Sequence, residues 1–293
     1  MAAYLKVAAS LLKLRIGITI AASALAGMAA TQGAAPAWPK AIALALAVVG
    51  ASGAAGAFNH YYERDSDKLM ARTRERPFAS GMLPESVWWP VSFAALLAVS
   101  LALAWAVAGG IAATYVFLGA FTYGVVYTVW LKRRSVWNIV VGGLAGSFAV
   151  LAGAAAVDPA PQAAPVILAL VLFLWTPPHF WSLAAAKKED YSQAHVPMLP
   201  VVAPDTAWPL AVLGHTIALV LLSLAPLWFG FGTFYGVCAI AGGALFVSRS
   251  ISLVRTPDRK TAMANFGASL VQLSLLVLGV LLDAIGGHTT WPF

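Results

Sequence analysis

The chain has 293 residues, of which 61% are hydrophobic and only 10% charged, whereas soluble domains carry about 25% charged residues. This composition excludes a soluble protein, and apolar runs of about 20 residues indicate spanning helices rather than the short alternating strands of a membrane β-barrel. The formal net charge of +7 is compatible with nucleic-acid binding, but its distribution along the chain follows membrane topology, so we expect no nucleic-acid partner.

Nine apolar runs follow one another along the chain. They cover roughly residues 16–33, 41–58, 87–108, 111–131, 136–157, 164–185, 208–229, 232–248 and 262–286. The first two and the eighth are rich in Gly and Ala, which let helices approach closely in lipid. The sequence therefore predicts an all-α, polytopic membrane bundle of nine transmembrane helices, with residues 1–293 forming a single domain.

The charged residues predict the orientation. Every Lys and Arg except Lys40 falls on the side that holds the N-terminus, and so does every acidic residue except Asp158 and Asp283. By the positive-inside rule, the N-terminus is cytoplasmic and the C-terminus is outside. We expect a multi-pass protein of the bacterial cytoplasmic (inner) membrane, with active-site loops at about 59–86 and 186–207, since long polar loops often carry function.

The first polar constellation follows the second run. Residues four apart on a helix differ by about 40°, so Asn59, Glu63 and Asp67 share one face, while Asp65 lies on another side. Their oxygens, with Lys and Arg residues from Arg64 to Arg76, suit Mg²⁺ and an anionic ligand, because Mg²⁺ usually shares its shell with substrate phosphates and water. Spacing alone also fits a solvated helix with charges paired at i,i+4.

The second constellation ends the sixth run. His179 and Asp190 fall on one face if the helix continues, and Asp190 is a candidate second acidic site for Mg²⁺. Pro177 and Pro178 are expected to kink this helix just before His179. His179 is expected either to contact substrate or metal-bound water, or to be a hydrogen-bonded core residue.

The remaining bases and aromatic residues complete the candidate site. By themselves Lys132 and Arg133 mark the cytoplasmic side, and on the same side as the acids they would form an anion clamp. Tyr and Trp at span ends are often interfacial anchors, but those facing inward would attract a developing cation through their π faces. Together these features predict a central membrane cavity, open to the cytoplasm, for a diphosphate with a lipid tail.

At these residues the sequence resembles the UbiA superfamily of intramembrane prenyltransferases. The resemblance covers about residues 55–205 and rests on five stretches. These are Asn59–Pro77, Tyr127–Arg133, Asn138–Gly143, Trp175–Trp181 and the segment from Asp190-Tyr191 through Val196–Val202. The Pro-Pro-His-Phe-Trp string is specific to the branch that prenylates haem.

The resemblance implies transfer of the farnesyl group of farnesyl diphosphate to a vinyl group of haem B, giving haem O and diphosphate in membrane lipid. It implies Mg²⁺ held by Asn59, Glu63, Asp67 and Asp190, with His179 as a further catalytic candidate. Candidate substrate-binding residues are Arg64, Lys68, Arg72, Arg76, Lys132, Arg133, Lys187, Lys188, Tyr123, Tyr127 and Tyr191. Haem A synthase or a terminal oxidase is the expected assembly partner.

The chain departs from the family pattern at a few positions. Glu63 replaces an Asp, Ala149-Val150 replaces a Pro-Pro pair, and His195 replaces a small or polar residue. Two alternatives stay open: a sibling prenyltransferase acting on an aromatic quinone precursor or another tetrapyrrole, and a transporter of haem or lipid.

Overall fold

The computed structural model describes residues 2–34 and 36–286, and its regular structure is helical, which confirms the all-α prediction. The α helices are α1 (Ala2–Leu11), α2 (Leu14–Ala29), α3 (Trp38–Tyr62), α4 (Arg64–Asp67), α5 (Trp88–Phe121), α6 (Asn138–Gly142), α7 (Leu144–Ala155), α8 (Ala163–Ala186), α9 (Lys188–Gln193), α10 (Leu199–Val202), α11 (Trp208–Leu224), α12 (Thr233–Arg255) and α13 (Arg259–Gly286). A π helix, Thr122–Leu131, continues α5, and a 3₁₀ helix, Ala225–Phe229, continues α11.

Within the described ranges, seven helical segments are long and apolar enough to cross a membrane. They are Trp38–Tyr62, Trp88–Leu131, Asn138–Ala155, Ala163–Ala186, Trp208–Phe229, Thr233–Arg255 and Arg259–Gly286. The second is 44 residues long and is interrupted at Gly109, whose φ of 84° and ψ of 174° suit only glycine. α2 has 16 residues, fewer than the roughly 20 of a typical crossing. The integral membrane character is thus confirmed, whereas the count of nine crossings stays a prediction.

The long helices form two packed halves. α2, α3, α5 and α7 share one apolar core, which contains Leu44, Val116 and Ala152. α8, α11, α12 and α13 share a second core around Leu219 and Phe246. α2 and α7 also contribute residues to this second core, so these two helices join the halves.

The crossing of α2 and α7 depends on two glycines. A Cβ atom on Gly27 would lie 2.0 Å from the Val150 carbonyl oxygen, and one on Gly153 would lie 1.7 Å from the Ala24 carbonyl oxygen. Both distances are far inside van der Waals contact, so only glycine allows the backbones to touch. Val150 itself lies within the continuous helix α7.

The two long loops pack at the same end of the bundle. Edge-to-face rings link Tyr61 to Phe78 and Phe78 to Trp89, with centroids 5.2 and 5.4 Å apart. Met70 of the first loop belongs to the same buried cluster as Tyr191 of the second. This end of the bundle also carries the polar residues that were singled out from the sequence.

The glycine crossing generates the first prediction. Gly153→Ala should destabilise the protein by at least the roughly 1–3 kcal/mol typical of overpacking, because the new methyl group meets backbone rather than a movable side chain. Gly267→Ala on α13 is the matched control, since its Cβ would have no neighbour within 4 Å in the described residues. Thermal unfolding in detergent should show a lower Tm for Gly153→Ala alone, and equal Tm values would contradict the close crossing.

Candidate active site

The first acidic motif lies where α3 ends. The helix stops at Tyr62, Glu63 adopts φ −92° and ψ 4°, and the four-residue α4 follows. The expected unbroken helix is therefore wrong, but the Glu63 amide donates to the Asn59 carbonyl at 3.0 Å and the Asp67 amide to the Glu63 carbonyl at 2.8 Å. These bonds preserve the i,i+4 spacing, and the structure brings all three side chains together inside the protein, with at most 2% of each exposed.

The buried acids are paired on one side and open on the other. Glu63 Oε2 accepts the Asn59 amide at 2.8 Å and contacts the Lys132 ammonium. Asp67 Oδ2 accepts from Arg76 at 2.8 Å. The second oxygen of each carboxylate, Glu63 Oε1 and Asp67 Oδ1, is buried and has no hydrogen-bond partner in the described ranges.

The open oxygens fit a hard divalent cation. Unpaired buried carboxylate oxygens are costly, and oxygen donors are what Mg²⁺ prefers. In residues 2–34 and 36–286, however, no three His, Cys, Asp or Glu side chains cluster as a ligand set. Asp190 therefore does not complete a three-acid site with Glu63 and Asp67, and the remaining ligands of a cation held here would come from substrate and water.

Lys13 is a member of this cluster that sequence reasoning missed. Its ammonium donates to Asn59 Oδ1 at 2.7 Å and to the Tyr123 hydroxyl at 2.6 Å. Burial lowers the pKa of Lys13 well below its ordinary value, as do Arg76 and Lys132, while the carboxylates of Glu63 and Asp67 oppose this lowering and favour the ammonium form. In the sequence, Lys13 is one of the N-terminal Lys and Arg residues that indicate topology. It lies 46 residues from Asn59, so no local pattern connects the two residues.

The π helix Thr122–Leu131 positions the opposite wall. Its hydrogen bonds join residues five apart, as between the Lys132 amide and the Tyr127 carbonyl at 2.9 Å. Tyr123 and Tyr127 are stacked with centroids 5.8 Å apart, and the Thr128 hydroxyl lies 3.1 Å from the Asn59 amide. Segments of π helix often occur at functional sites, and this one directs two aromatic rings and Lys132 to the acids.

The candidate anion-binding residues divide into two groups. Arg76 pairs with Asp67, and Arg133 contacts the Ser66 hydroxyl. Burial raises the pKa of the Tyr191 phenol, and the exposed Arg72 lies near enough to oppose this rise.

The second group points elsewhere. Arg64 pairs with Glu85, Lys68 with Asp65 at 2.9 Å and Lys188 with Asp205 at 3.4 Å. The Lys68 and Lys188 pairs are both largely exposed. These three bases therefore pair with other acids in the structure and are not gathered at Glu63 and Asp67.

The expected common face of His179 and Asp190 is wrong. α8 ends at Ala186, Lys187 leaves helical geometry with φ −125° and ψ 33°, and α9 starts at Lys188. Asp190 is half-buried, and its carboxylate forms no hydrogen bond within the described part of the chain. α8 itself continues through Pro177 and Pro178.

His179 lies in an aromatic stack. Its ring is 4.2 Å from that of Trp175 and 4.4 Å from that of Phe266. Its Nδ1 is 2.7 Å from the Ser269 hydroxyl, which donates its own hydrogen to the Phe266 carbonyl at 2.6 Å. Ser269 therefore accepts from Nδ1–H, and the lone pair of Nε2 has no hydrogen-bond partner among the described residues.

A model of the UbiA prenyltransferase family matches residues 20–276. The chain is 56% identical to protoheme IX farnesyltransferase 2 of Paramagnetospirillum magneticum, over 97% of this chain and 99% of that protein.

Solved structures share the fold at low identity. A structure of digeranylgeranylglyceryl phosphate synthase has a TM-score of 0.79 at 18% identity, covering 96% of this chain and 99% of that one. A UbiA homologue from Archaeoglobus fulgidus, bound to GPP and Mg²⁺, has a TM-score of 0.69 at 15% identity, covering 94% and 99%. These likenesses concern the fold alone.

The Glu63–Lys132 contact generates the second prediction. Lys132→Met should destabilise the protein by about 3–5 kcal/mol, because it leaves a buried carboxylate without its cation. Lys188→Met removes an exposed pair and should cost about 0–1 kcal/mol. Unfolding in detergent, followed by Trp fluorescence, should separate the two variants, and equal shifts would mean that Glu63 does not depend on Lys132.

Proposed function

The chain belongs to the UbiA prenyltransferase family, and we propose that this prenyltransferase moves the farnesyl group of farnesyl diphosphate onto a vinyl group of haem B, giving haem O and diphosphate. The diphosphate half of the proposal is carried by one observation: two buried carboxylates with open oxygens lie between Lys13, Lys132 and Arg76. The acceptor half is supported by the name of the 56% identical relative.

Magnesium dependence is part of the proposal. Glu63 Oε1 and Asp67 Oδ1, helped by the Asn59 amide, would hold Mg²⁺, and the Mg²⁺-bound archaeal homologue supports this choice of metal. When bound, Mg²⁺ neutralises the negative charge that develops on the departing diphosphate. Asp190, open and half-buried, is proposed as a second acidic contact that the substrate completes.

The bases and Tyr191 are proposed to bind the diphosphate or to attract it from a distance. Arg72, Arg76, Lys132 and Arg133 are proposed to bind diphosphate oxygens, since Arg and Lys stabilise charge as it develops. Tyr191 lies beside Arg72 and would position the same oxygens. Arg64, Lys68, Lys187 and Lys188 would contribute mainly long-range attraction of the anionic substrate.

The reaction proceeds in three bond changes. The bond between farnesyl C1 and the diphosphate oxygen breaks, and its electron pair leaves with the diphosphate. The haem vinyl group gives its π electrons to the allylic cation and forms the new carbon–carbon bond. The resulting cation next to the porphyrin takes up water and loses a proton, which yields the hydroxyl group. The stacked rings of Tyr123 and Tyr127 would stabilise the first cation.

His179 is proposed to act on the haem side. Its free Nε2 lone pair and the neighbouring rings of Trp175, Phe180 and Phe266 suit a flat, iron-containing macrocycle. The closest described polar partner of His179 is Ser269, not an acid of the first cluster. Donor and acceptor would thus be bound by different parts of the bundle.

We place this protein in the bacterial cytoplasmic membrane, with a cytoplasmic N-terminus, an outer C-terminus and one catalytic unit whose loops, about 59–86 and 186–207, close over the site. The bias of Lys and Arg supports this orientation. Haem A synthase or a terminal oxidase is proposed as the partner that receives haem O. Labelling of single cysteines from each side of the membrane would contradict the orientation if both termini reacted from the same side.

The third prediction tests the reaction together with the acids. Purified protein with haem B, farnesyl diphosphate and Mg²⁺ should form haem O, as detected by mass spectrometry, and chelation of the metal should stop the reaction. Asp67→Asn should lower kcat by at least about 100-fold, since it removes charge stabilisation at the leaving group. The control Asp65→Asn changes an exposed carboxylate and should stay within about twofold of wild type.

Three outcomes would contradict this scheme. Equal losses for Asp67→Asn and Asp65→Asn would remove the buried acids from the mechanism. A prenylated quinone precursor with unaltered haem would favour a sibling enzyme. Flux of labelled haem into liposomes without chemical change would favour a transporter.

The fourth prediction separates donor and acceptor. Arg72→Ala should raise the KM for farnesyl diphosphate about tenfold and leave that for haem nearly unchanged, because a charged hydrogen bond to phosphate is lost. His179→Ala should do the reverse and weaken haem binding, as measured by a Soret titration without farnesyl diphosphate. If Arg72→Ala affected haem more strongly than farnesyl diphosphate, Arg72 would move to the haem propionates.

A further inference from the structure

Lys13 adopts a backbone conformation that few residues with a side chain accept. It lies between α1 and α2 with φ 48° and ψ 44°, in the left-handed region. Outside glycine, such strain is found mostly where the surrounding structure requires it. The turn aims the Lys13 side chain into the bundle, toward α3 and the π helix, rather than toward its own helices.

Helix α3 has room for this side chain at Gly56. A Cβ atom on Gly56 would lie 3.2 Å from Lys13 Cδ and 3.4 Å from Cγ. Gly56 thus leaves a groove for the aliphatic stem, one helical turn before Asn59. At its end the ammonium reaches Asn59 Oδ1 and the Tyr123 hydroxyl and lies 5.2 Å from the Tyr123 ring centroid.

This arrangement puts Lys13 in competition with a metal. Asn59 Oδ1 is the amide oxygen that a divalent cation between Glu63 and Asp67 would use, and an ammonium group already occupies it. Two cations on one oxygen repel each other. The cluster also holds three cations, Lys13, Lys132 and Arg76, against the two carboxylates, so a metal alone would add to an existing surplus of positive charge.

A bound diphosphate would remove the conflict. It brings negative charge and strong acceptor oxygens to the place where the cations converge, and an ammonium on a flexible stem can turn to such an oxygen as a point charge. The released Asn59 Oδ1 then becomes available to the metal. Mg²⁺ and the diphosphate would therefore each bind less well without the other.

We infer that Lys13 is a diphosphate-binding residue that occupies the metal's place on Asn59 until the substrate arrives, and thereby makes Mg²⁺ and the diphosphate bind together. This inference rests on the proposed function. It adds a residue outside the two long loops to the site and a reason for the two ligands to bind together. In this way the cations of the cluster neutralise Glu63 and Asp67 until the diphosphate binds.

The competing explanation is a strut, in which Lys13 merely ties the N-terminal segment to α3. The two explanations differ in sign. If Lys13 is only a structural support, removing its side chain should weaken the binding of both ligands together or of neither. If Lys13 competes with the metal, removing its side chain should strengthen Mg²⁺ binding and weaken diphosphate binding.

The fifth prediction uses isothermal calorimetry on the full-length protein, with Mg²⁺ alone and then farnesyl S-thiolodiphosphate, a non-reacting analogue, in Mg²⁺. Lys13→Met should bind Mg²⁺ alone about fivefold or more tightly, and should bind the analogue at least about tenfold more weakly, since a charged hydrogen bond is lost. Lys13→Gln keeps a polar side chain, one atom shorter than that of Lys and without the charge, and should show the same pattern if Lys13→Met folds poorly. The exposed Lys6 is the control, and Lys6→Met should match wild type.

Unchanged Mg²⁺ affinity in both Lys13 variants would overturn the inference, as would parallel weakening of both ligands. These failures differ from a failure of the proposed function. Absence of haem O from the wild-type reaction would refute the acceptor while leaving the opposed affinity shifts in place. Equal affinities with normal haem O formation would refute the role of Lys13 alone.

Discussion

The burial of two carboxylates at one end of an apolar bundle is the constraint on which the rest of the structure depends. Glu63 and Asp67 are almost completely enclosed, and an enclosed charge is stable only with counter-charges and hydrogen bonds around it. Lys132 approaches from the π helix, Arg76 from the first long loop, and Lys13, through Asn59, from the N-terminal turn. Three separate parts of the chain are thereby held at one point.

Three departures from regular helical geometry lie around this point. The left-handed turn at Lys13, the break after Tyr62 and the ten-residue π helix all contribute side chains to the acid cluster. Regular helices elsewhere satisfy their own backbone groups and pack through small residues, as at Gly27 and Gly153. Departures from regular geometry are expected where function competes with local preference, which supports the same end of the bundle as the place of chemistry.

The arrangement also separates two chemical tasks. The acids, bases and stacked tyrosines at α3 and the π helix suit an anionic leaving group beside a developing cation. His179 instead lies between Trp175 and Phe266, held by a serine of α13. Under the proposed function, a prenyl donor and a large flat acceptor would need such different surroundings, and binding them on different helices would allow each site to be changed independently.

The sequence by itself determined the all-helical membrane class, the extent of the apolar segments and the acidic motif around Asn59, Glu63 and Asp67. These features are periodic or compositional, and local hydrogen bonds preserved the spacing of the acids even where the helix broke. Only the tertiary structure decided that Lys13 belongs to the site, that Arg64 and Lys188 pair with distant acids, and that His179 and Asp190 lie on separate helices. Such facts depend on which helices touch and on where a helix ends. Both are settled by packing across the whole bundle, which carries no short-range signal in the chain.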